Sequence, residues 1–223
     1  MKILGLTGGS GTGKSAACTA FARLGCGVID ADATYRTLCD TCEPMLEEIQ
    51  NVFGDVFSTD GKLDRKKLGA IVFADAQKLQ QLNAITHPYI RQAARDAFAA
   101  YSKRGCLLCI YDAPVLFEGQ METLCDKTCA VLAARNTRIA RIVARDAITE
   151  EYGRCALTRR KTMHFTAKDA IMSYKMMQTW THCIHRCARS MKIWCANKRI
   201  GAERMKVSWK TPCFMTKRPA GIA

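Results

Sequence analysis

The chain has 223 residues, 48% of them hydrophobic and 24% charged, with a formal net charge of +14 and 13 cysteines, a balance that fits one or two globular domains. No apolar run approaches the roughly 20 residues that a membrane helix needs, and the N-terminus lacks the apolar core of a secretory signal, so a cytoplasmic protein with reduced cysteines and no membrane partner is expected. The charge does not argue for a nucleic-acid partner of the whole chain, because residues 1–153 hold 18 Lys+Arg against 18 Asp+Glu, while residues 154–223 hold 16 against 2. All three tryptophans and seven of the ten methionines also lie after residue 153. Two compositions are joined near Gly153.

The first predicted element is a short buried strand, Ile3-Leu4-Gly5-Leu6. It runs into Gly8-Gly9-Ser10-Gly11-Thr12-Gly13-Lys14-Ser15, a match to G-x-x-x-x-G-K-[ST], and a helix-compatible run at residues 16–24 follows. Strand, glycine loop and helix in that order predict a phosphate-binding loop, because glycines let successive backbone N–H groups converge on one anion. The helix N-terminus adds partial positive charge, so Gly8 through Ser15 and the adjoining Ala16 are candidate nucleotide contacts. Lys14 would reach the β- and γ-phosphates, and the Ser15 hydroxyl would hold Mg²⁺. Val28-Ile29 starts a second strand that ends in Asp30-Ala31-Asp32. A carboxylate pair there lies where open α/β sheets bind ligands; helix capping is the alternative use of either residue.

From residue 33 to 104 the pattern is helical and amphipathic, with apolar spacing over residues 44–49 and 63–73 and a turn at Asp60-Gly61. Pro88 is expected to open a fresh helix in its first turn. His87 and Arg91, four apart, would share a face of it, although His87 could simply cap it. This block reads as a helical insertion between strands, suited to holding a second substrate over the glycine loop. The sheet resumes at residues 107–111, followed by Asp112-Ala113-Pro114-Val115-Leu116-Phe117-Glu118 and a further strand at residues 128–133. Asp112 ends its strand as a metal-shell acid of a nucleotide-binding fold would, with simple solvation at a strand end as the alternative. Arg138, Arg141 and Arg145 line one side of a helix at residues 136–146; a solvated face explains them, and so does a lid that carries arginine to a transferring phosphoryl group. Cys39-x-x-Cys42 and Cys106-x-x-Cys109 sit in unrelated settings, and the second pair lies in an apolar strand where cysteine behaves as a small hydrophobe, so a shared metal site is not expected.

Residues 1–152 resemble the dephospho-coenzyme A kinase family. The resemblance rests on the glycine loop, Val28-Ile29-Asp30-Ala31-Asp32, Gly61-Lys62-Leu63-Asp64-Arg65, Leu68-Gly69-Ala70-Ile71-Val72-Phe73, His87-Pro88-Tyr89-Ile90-Arg91, the segment from Asp112 to Glu118, and Ala144-Arg145-Asp146. The glycine loop alone is shared by many nucleotide-binding families; the ordered combination is far more specific. It implies an α/β P-loop NTPase fold, a parallel sheet flanked by helices, with a helical substrate-binding insertion at residues 33–104 and a lid at residues 136–153. It implies transfer of the ATP γ-phosphoryl group to the ribose 3′-hydroxyl of dephospho-coenzyme A. Asp32 would take the hydroxyl proton. Lys14, Mg²⁺ and Arg145 would meet the charge of the transferring group, and His87 and Arg91, with Asp112, would line the acceptor site. Exclusion of water would fall to the lid.

After Tyr152 the resemblance is expected to end, with the rest of the lid, a last strand, part of the adenine pocket and a closing helix missing. Codons can be chosen for the family-like peptide ALRIDAQKNDAFYRERCDYVLQNDA that, read one base later, give RCALTRRKTMHFTAKDAIMSYKMMQ, the chain from Arg154 to Gln178. The tail from about Gly153 therefore reads as an out-of-frame translation, which an intact coding frame in the gene would contradict. On that reading His182-Cys183-x-His185-x-Cys187 and the Lys/Arg stretches around Trp194 and Trp209 are accidents of the shifted frame. Two other classes stay open on the residues alone. One is a different P-loop small-molecule kinase; the other is a nonenzymatic nucleic-acid binder acting through the basic tail.

Overall fold

In the computed structural model, residues 1–159 and 172–175 are described. The tail's His/Cys cluster and its tryptophans lie outside the described residues. Five strands form one parallel sheet: β1 (Lys2–Thr7), β2 (Gly27–Asp30), β3 (Leu108–Asp112), β4 (Lys127–Leu132) and β5 (Met172–Lys175), in the order β2-β3-β1-β4-β5. Strands this apolar need both faces covered. Alternation along them supplies two faces: Leu4, Leu6, Leu108, Ile110, Cys129 and Val131 pack with Cys18 and Phe21 of helix α1 (Lys14–Arg23), while Ile29, Cys109 and Tyr111 pack with Ala94 and Phe98 on the other side. The chain leaves β1 toward β2 on one side and later crosses to β4 on the other. The loop after β1 thus opens where strand order reverses, at the carboxyl ends of the strands, the usual ligand position of such sheets.

Between β2 and β3 lie α2 (Ala31–Thr41), α3 (Glu43–Phe53), α4 (Arg65–Phe73) and α5 (Ala76–Lys103). Three of them start on aspartate caps, because a short carboxylate satisfies the first free N–H groups of a helix. Asp30 accepts from the Ala33 N–H, Asp64 from Lys66 and Lys67, and Asp75 from Gln77 and Lys78. The insertion has its own core, in which Cys39, Met45, Ile49, Val56, Leu68, Val72 and Leu82 are buried. Cys39 and Cys109 are among the buried apolar positions. The turn at Gly61 has φ +77° and sits inside a small antiparallel bridge between Phe57 and Leu63.

Helix α5 runs 28 residues, about 42 Å, and spans both cores, with Leu82 in the insertion and Ala94 and Phe98 against the sheet. Pro88 lies in its interior and does not open a new helix. A proline there removes one backbone bond and costs about 3 kcal/mol; apolar packing on both sides of it keeps the helix continuous. His87, one residue earlier, is consequently a helix-interior residue and not a cap.

Beyond β3, a single 3-10 turn (Met121–Leu124) leads to β4, then α6 (Arg135–Asp146) and α7 (Glu150–Arg159). The last strand that the sequence was expected to lack is present. β5 pairs with β4 in parallel from Cys129↔Met172 to Leu132↔Lys175, and pairing satisfies an edge of β4 that would otherwise present unbonded N–H and C=O groups. Its four residues occupy the positions at which the unshifted, family-like reading has Tyr-Val-Leu-Gln. Among the described residues no helix is long and apolar enough to cross a membrane.

Candidate active site

The glycine loop is held from three directions. Within the loop, the Thr12 N–H and hydroxyl both reach the Gly9 carbonyl, at 3.3 and 2.8 Å. Gly13 caps α1 with φ 97°, a left-handed conformation natural to glycine. From the sheet, the Thr7 hydroxyl donates to the Pro114 carbonyl at 3.2 Å and the Ala113 N–H to Leu6 at 3.0 Å, which ties the end of β1 to the segment after Asp112. From above, α6 lies against the loop so closely that a Cβ on Gly11 would stand 2.6 Å from the Arg138 carbonyl oxygen. Arg138 Nε donates to Ser10 O at 2.9 Å, and Arg141 Nη1 to Gly11 O at 3.2 Å and Thr12 O at 3.0 Å. Gly8, Gly9 and Lys14 complete the loop with Ser15 and Ala16 exposed on the first turn of α1.

Lys14 is paired. Its ammonium binds Asp112 Oδ1, and both side chains are largely buried. The other Asp112 oxygen accepts from the Cys18 thiol at 3.3 Å. Burial, with the Asp112 charge next, pushes that thiol up to about 12, so at neutral pH it is a donor. A buried ion pair is favourable only when its remaining lone pairs are satisfied, and Cys18 supplies that bond.

Asp30 and Asp32 do not have equal roles. The strand ends at Asp30, which turns its carboxylate onto the α2 N-terminus, whereas Asp32 stands in the first turn of that helix with no cap bond. Asp30 is opposite Asp112 in the β2–β3 register, so the two acids and Lys14 stand at adjacent strand ends. Desolvation first, and then the Asp30 charge, push the Asp32 carboxyl above the ordinary carboxylate range, with Lys14 pulling the other way. Asp32 keeps one side exposed to solvent, and partial burial and the neighbouring Asp30 carboxylate both act to raise it.

His87 and Arg91 both lie within α5, four residues apart as the sequence spacing has them. Arg91 Nη2 donates to the Gly119 carbonyl at 3.1 Å, and Arg91 Nε is buried without a hydrogen-bond partner among the described residues. Burial, and then Arg91, hold the His87 imidazole below its usual range, so it is neutral at neutral pH. Tyr111, fully buried on β3, also leaves its hydroxyl unpartnered among the described residues.

Arg145 is not brought to the glycine loop. It forms a two-bond pair with Asp146, at 2.7 and 2.8 Å, and its side chain is 63% exposed. The helix geometry explains this: seven residues separate it from Arg138, about 10 Å along the axis, which carries it past the loop. Arg138 and Arg141, on the first turns, take the position over the loop. The sequence contained only their spacing of three, which a solvated face shares. The Lys14–Asp112–Cys18 chain was equally out of reach, since its members are 94 and 98 residues apart.

Comparison with known proteins matches a sequence model described as dephospho-CoA kinase to residues 2–164. A dephospho-CoA kinase of Shouchella clausii is 38% identical over 168 residues, 75% of this chain and 84% of that one. One from Anaeromyxobacter dehalogenans is 42% identical over 149 residues, 66% of this chain and 71% of its own length. Among solved structures, TT1252 from Thermus thermophilus superposes with a TM-score of 0.72 at 26% identity, covering 86% of this chain and 97% of its own. A dephospho-CoA kinase from Campylobacter jejuni, at 24% identity and a TM-score of 0.61 over 88% and 99% of the two chains, shares the fold. The family match runs past Tyr152, where the sequence suggested a sharp end, to residue 164; helix α7 likewise continues through that boundary.

Proposed function

The chain belongs to the dephospho-CoA kinase family, and from that premise we propose how its residues divide the work of moving the ATP γ-phosphoryl group onto dephospho-CoA. The reaction yields CoA and ADP by phosphorylation of the ribose 3′-hydroxyl. The observation that carries the assignment of roles is the meeting of the glycine loop, Lys14, Asp112 and Asp32 at adjacent carboxyl ends of β1, β3 and β2.

Gly8 to Ala16 hold the phosphates of ATP through backbone N–H groups and the α1 N-terminus. Lys14 exchanges its partner Asp112 for the β- and γ-phosphate oxygens. Asp32 accepts the proton of the 3′-hydroxyl as that oxygen bonds to phosphorus and the bond from the γ-phosphorus to the bridging oxygen of ADP breaks. The oxygen donors Ser15 and Asp112 suit Mg²⁺, a hard cation that keeps several waters, and Ser15 with Asp112 would hold it. Bound there, Mg²⁺ would neutralise charge on the phosphates. On the acceptor side, the insertion presents His87 and Arg91, and Arg91 has one nitrogen, the buried Nε, without a hydrogen-bond partner among the described residues. Arg145, paired with Asp146 and turned outward, would have to leave that pair to meet charge on the transferring group, and the arginines of α6 that lie over the loop are Arg138 and Arg141.

The domain division follows the same lines: a nucleotide-binding core at residues 1–32 and 105–135, the insertion at residues 33–104, the lid at residues 136–153, and an out-of-frame basic tail from residue 154. The surplus of 16 basic over 2 acidic residues in that tail supports this last point.

A pH profile tests the role of Asp32. A base must be deprotonated to act, and its carboxyl is raised by desolvation and by Asp30. Acceptor-dependent turnover is therefore expected to fall, as pH drops, through a midpoint above the ordinary aspartate value of about 3.9. Asp30→Asn keeps the α2 cap while removing the like charge, so it should move the acid limb to lower pH. An unmoved limb in that variant contradicts the coupling.

A further inference from the structure

The three bonds from α6 to the glycine loop all end on carbonyl oxygens: Ser10, Gly11 and Thr12. A peptide unit is planar and trans, so its carbonyl and the N–H of the next residue point in opposite directions. Holding the Ser10, Gly11 and Thr12 carbonyls therefore sets the directions of the Gly11, Thr12 and Gly13 N–H groups. The Thr12 N–H turns to Gly9 O within the loop, whereas those of Gly11 and Gly13 have no partner among the described residues and can serve a ligand. From this geometry we infer that Arg138 and Arg141 are positioning residues, which fix the phosphate-binding face of the loop by gripping its opposite face.

Three features favour this role. A bond from a cation is about twice as strong as a neutral one, so two guanidinium groups hold a glycine-rich segment that has little stiffness of its own. Cations on the carbonyl side also polarise the peptide dipoles so that their N–H ends attract an anion more strongly. Contact is close along the whole interface, since a Cβ on Gly9 would stand 2.6 Å from Arg138 Nη2 and one on Gly11 at the same distance from the Arg138 carbonyl oxygen. Arg138 is partly buried there. The phosphates and the arginines thus occupy opposite sides of one strip of backbone.

The inference rests on the proposed nucleotide role of the loop, and its test separates the two. ADP and ATP affinities are measured by calorimetry, without acceptor, for the intact chain and for Arg138→Met and Arg141→Met, with thermal melting alongside. If the arginines act through the loop, each variant should lose about tenfold in affinity, by the same factor for ADP and ATP, because the loop's own N–H groups cradle phosphates common to both. Arg141→Lys, which can hold one of the two carbonyls, should recover part of the loss. A loss confined to ATP would overturn the inference, since it would mean direct contact with the γ-phosphate. Unchanged affinities in both variants, or a lowered melting temperature with nucleotide affinity intact, would overturn it as well. Failure of the unmodified chain to bind either nucleotide would count against the proposed function itself.

Discussion

Asp32→Asn is expected to lower dephospho-CoA-dependent turnover by about 10² to 10⁴-fold, the contribution of a positioned general base, while ATP affinity changes little. The substitution is nearly isosteric and leaves the helix start intact, because the cap of α2 is Asp30 and not Asp32. Asparagine can still accept a hydrogen bond from the ribose hydroxyl, but it cannot take the proton. The loss should therefore appear in kcat, with KM for ATP within a fewfold of the original. Equilibrium nucleotide binding and initial-rate kinetics on the same preparation check this. Undiminished turnover would remove Asp32 from the mechanism.

Lys14→Ala should damage both chemistry and folding. Loss of one preorganised charge or donor at the transferring group costs about 10² to 10³ in rate, and nucleotide affinity should fall with it. Stability should fall too, since the change leaves Asp112 buried with no counter-charge, a situation worth about 3 to 5 kcal/mol in comparable pairs. The double variant Lys14→Ala/Asp112→Asn separates the two effects. Removal of the stranded charge should restore much of the melting temperature and none of the turnover. A single variant that melts like the original would show that the Lys14–Asp112 pair contributes nothing to the fold.

How much of this could be read from the chain follows from the range of each interaction. The glycine loop is a contiguous device: backbone N–H groups converge on an anion only if glycines fall at fixed positions between a strand and a helix. Residues 8–15 were therefore recognisable alone, and the Asp30/Asp32 pair was identifiable by its place after the second strand, with the family resemblance alone singling out Asp32. Pro88 misled because local preference puts proline at a helix start, whereas packing of α5 against two cores overrides that preference. The difference between Asp30 and Asp32 was not decidable either, since both fit a cap until the strand is seen to stop at Asp30.

The arginines show the limit most sharply. Arg138, Arg141 and Arg145 share a helix face by periodicity, and periodicity says nothing of how far along the axis the partner lies. Contact between α6 and Ser10, Gly11 and Thr12 involves the first two, while the third pairs with Asp146. β5 is the reverse case. Its Met-Ser-Tyr-Lys sequence carries a weak strand signal, yet it pairs along the free edge of β4, a reminder that an unsatisfied strand edge recruits what the chain length brings to it.

The central claim is that this loop, with its neighbouring acids, phosphorylates dephospho-CoA. Its most direct test is ADP release by the purified chain with ATP and Mg²⁺, measured with and without dephospho-CoA. The account predicts ADP formation that depends on the acceptor, with CoA formed in equal amount. Release that is unchanged when dephospho-CoA is omitted, or that depends instead on a different acceptor, would contradict it.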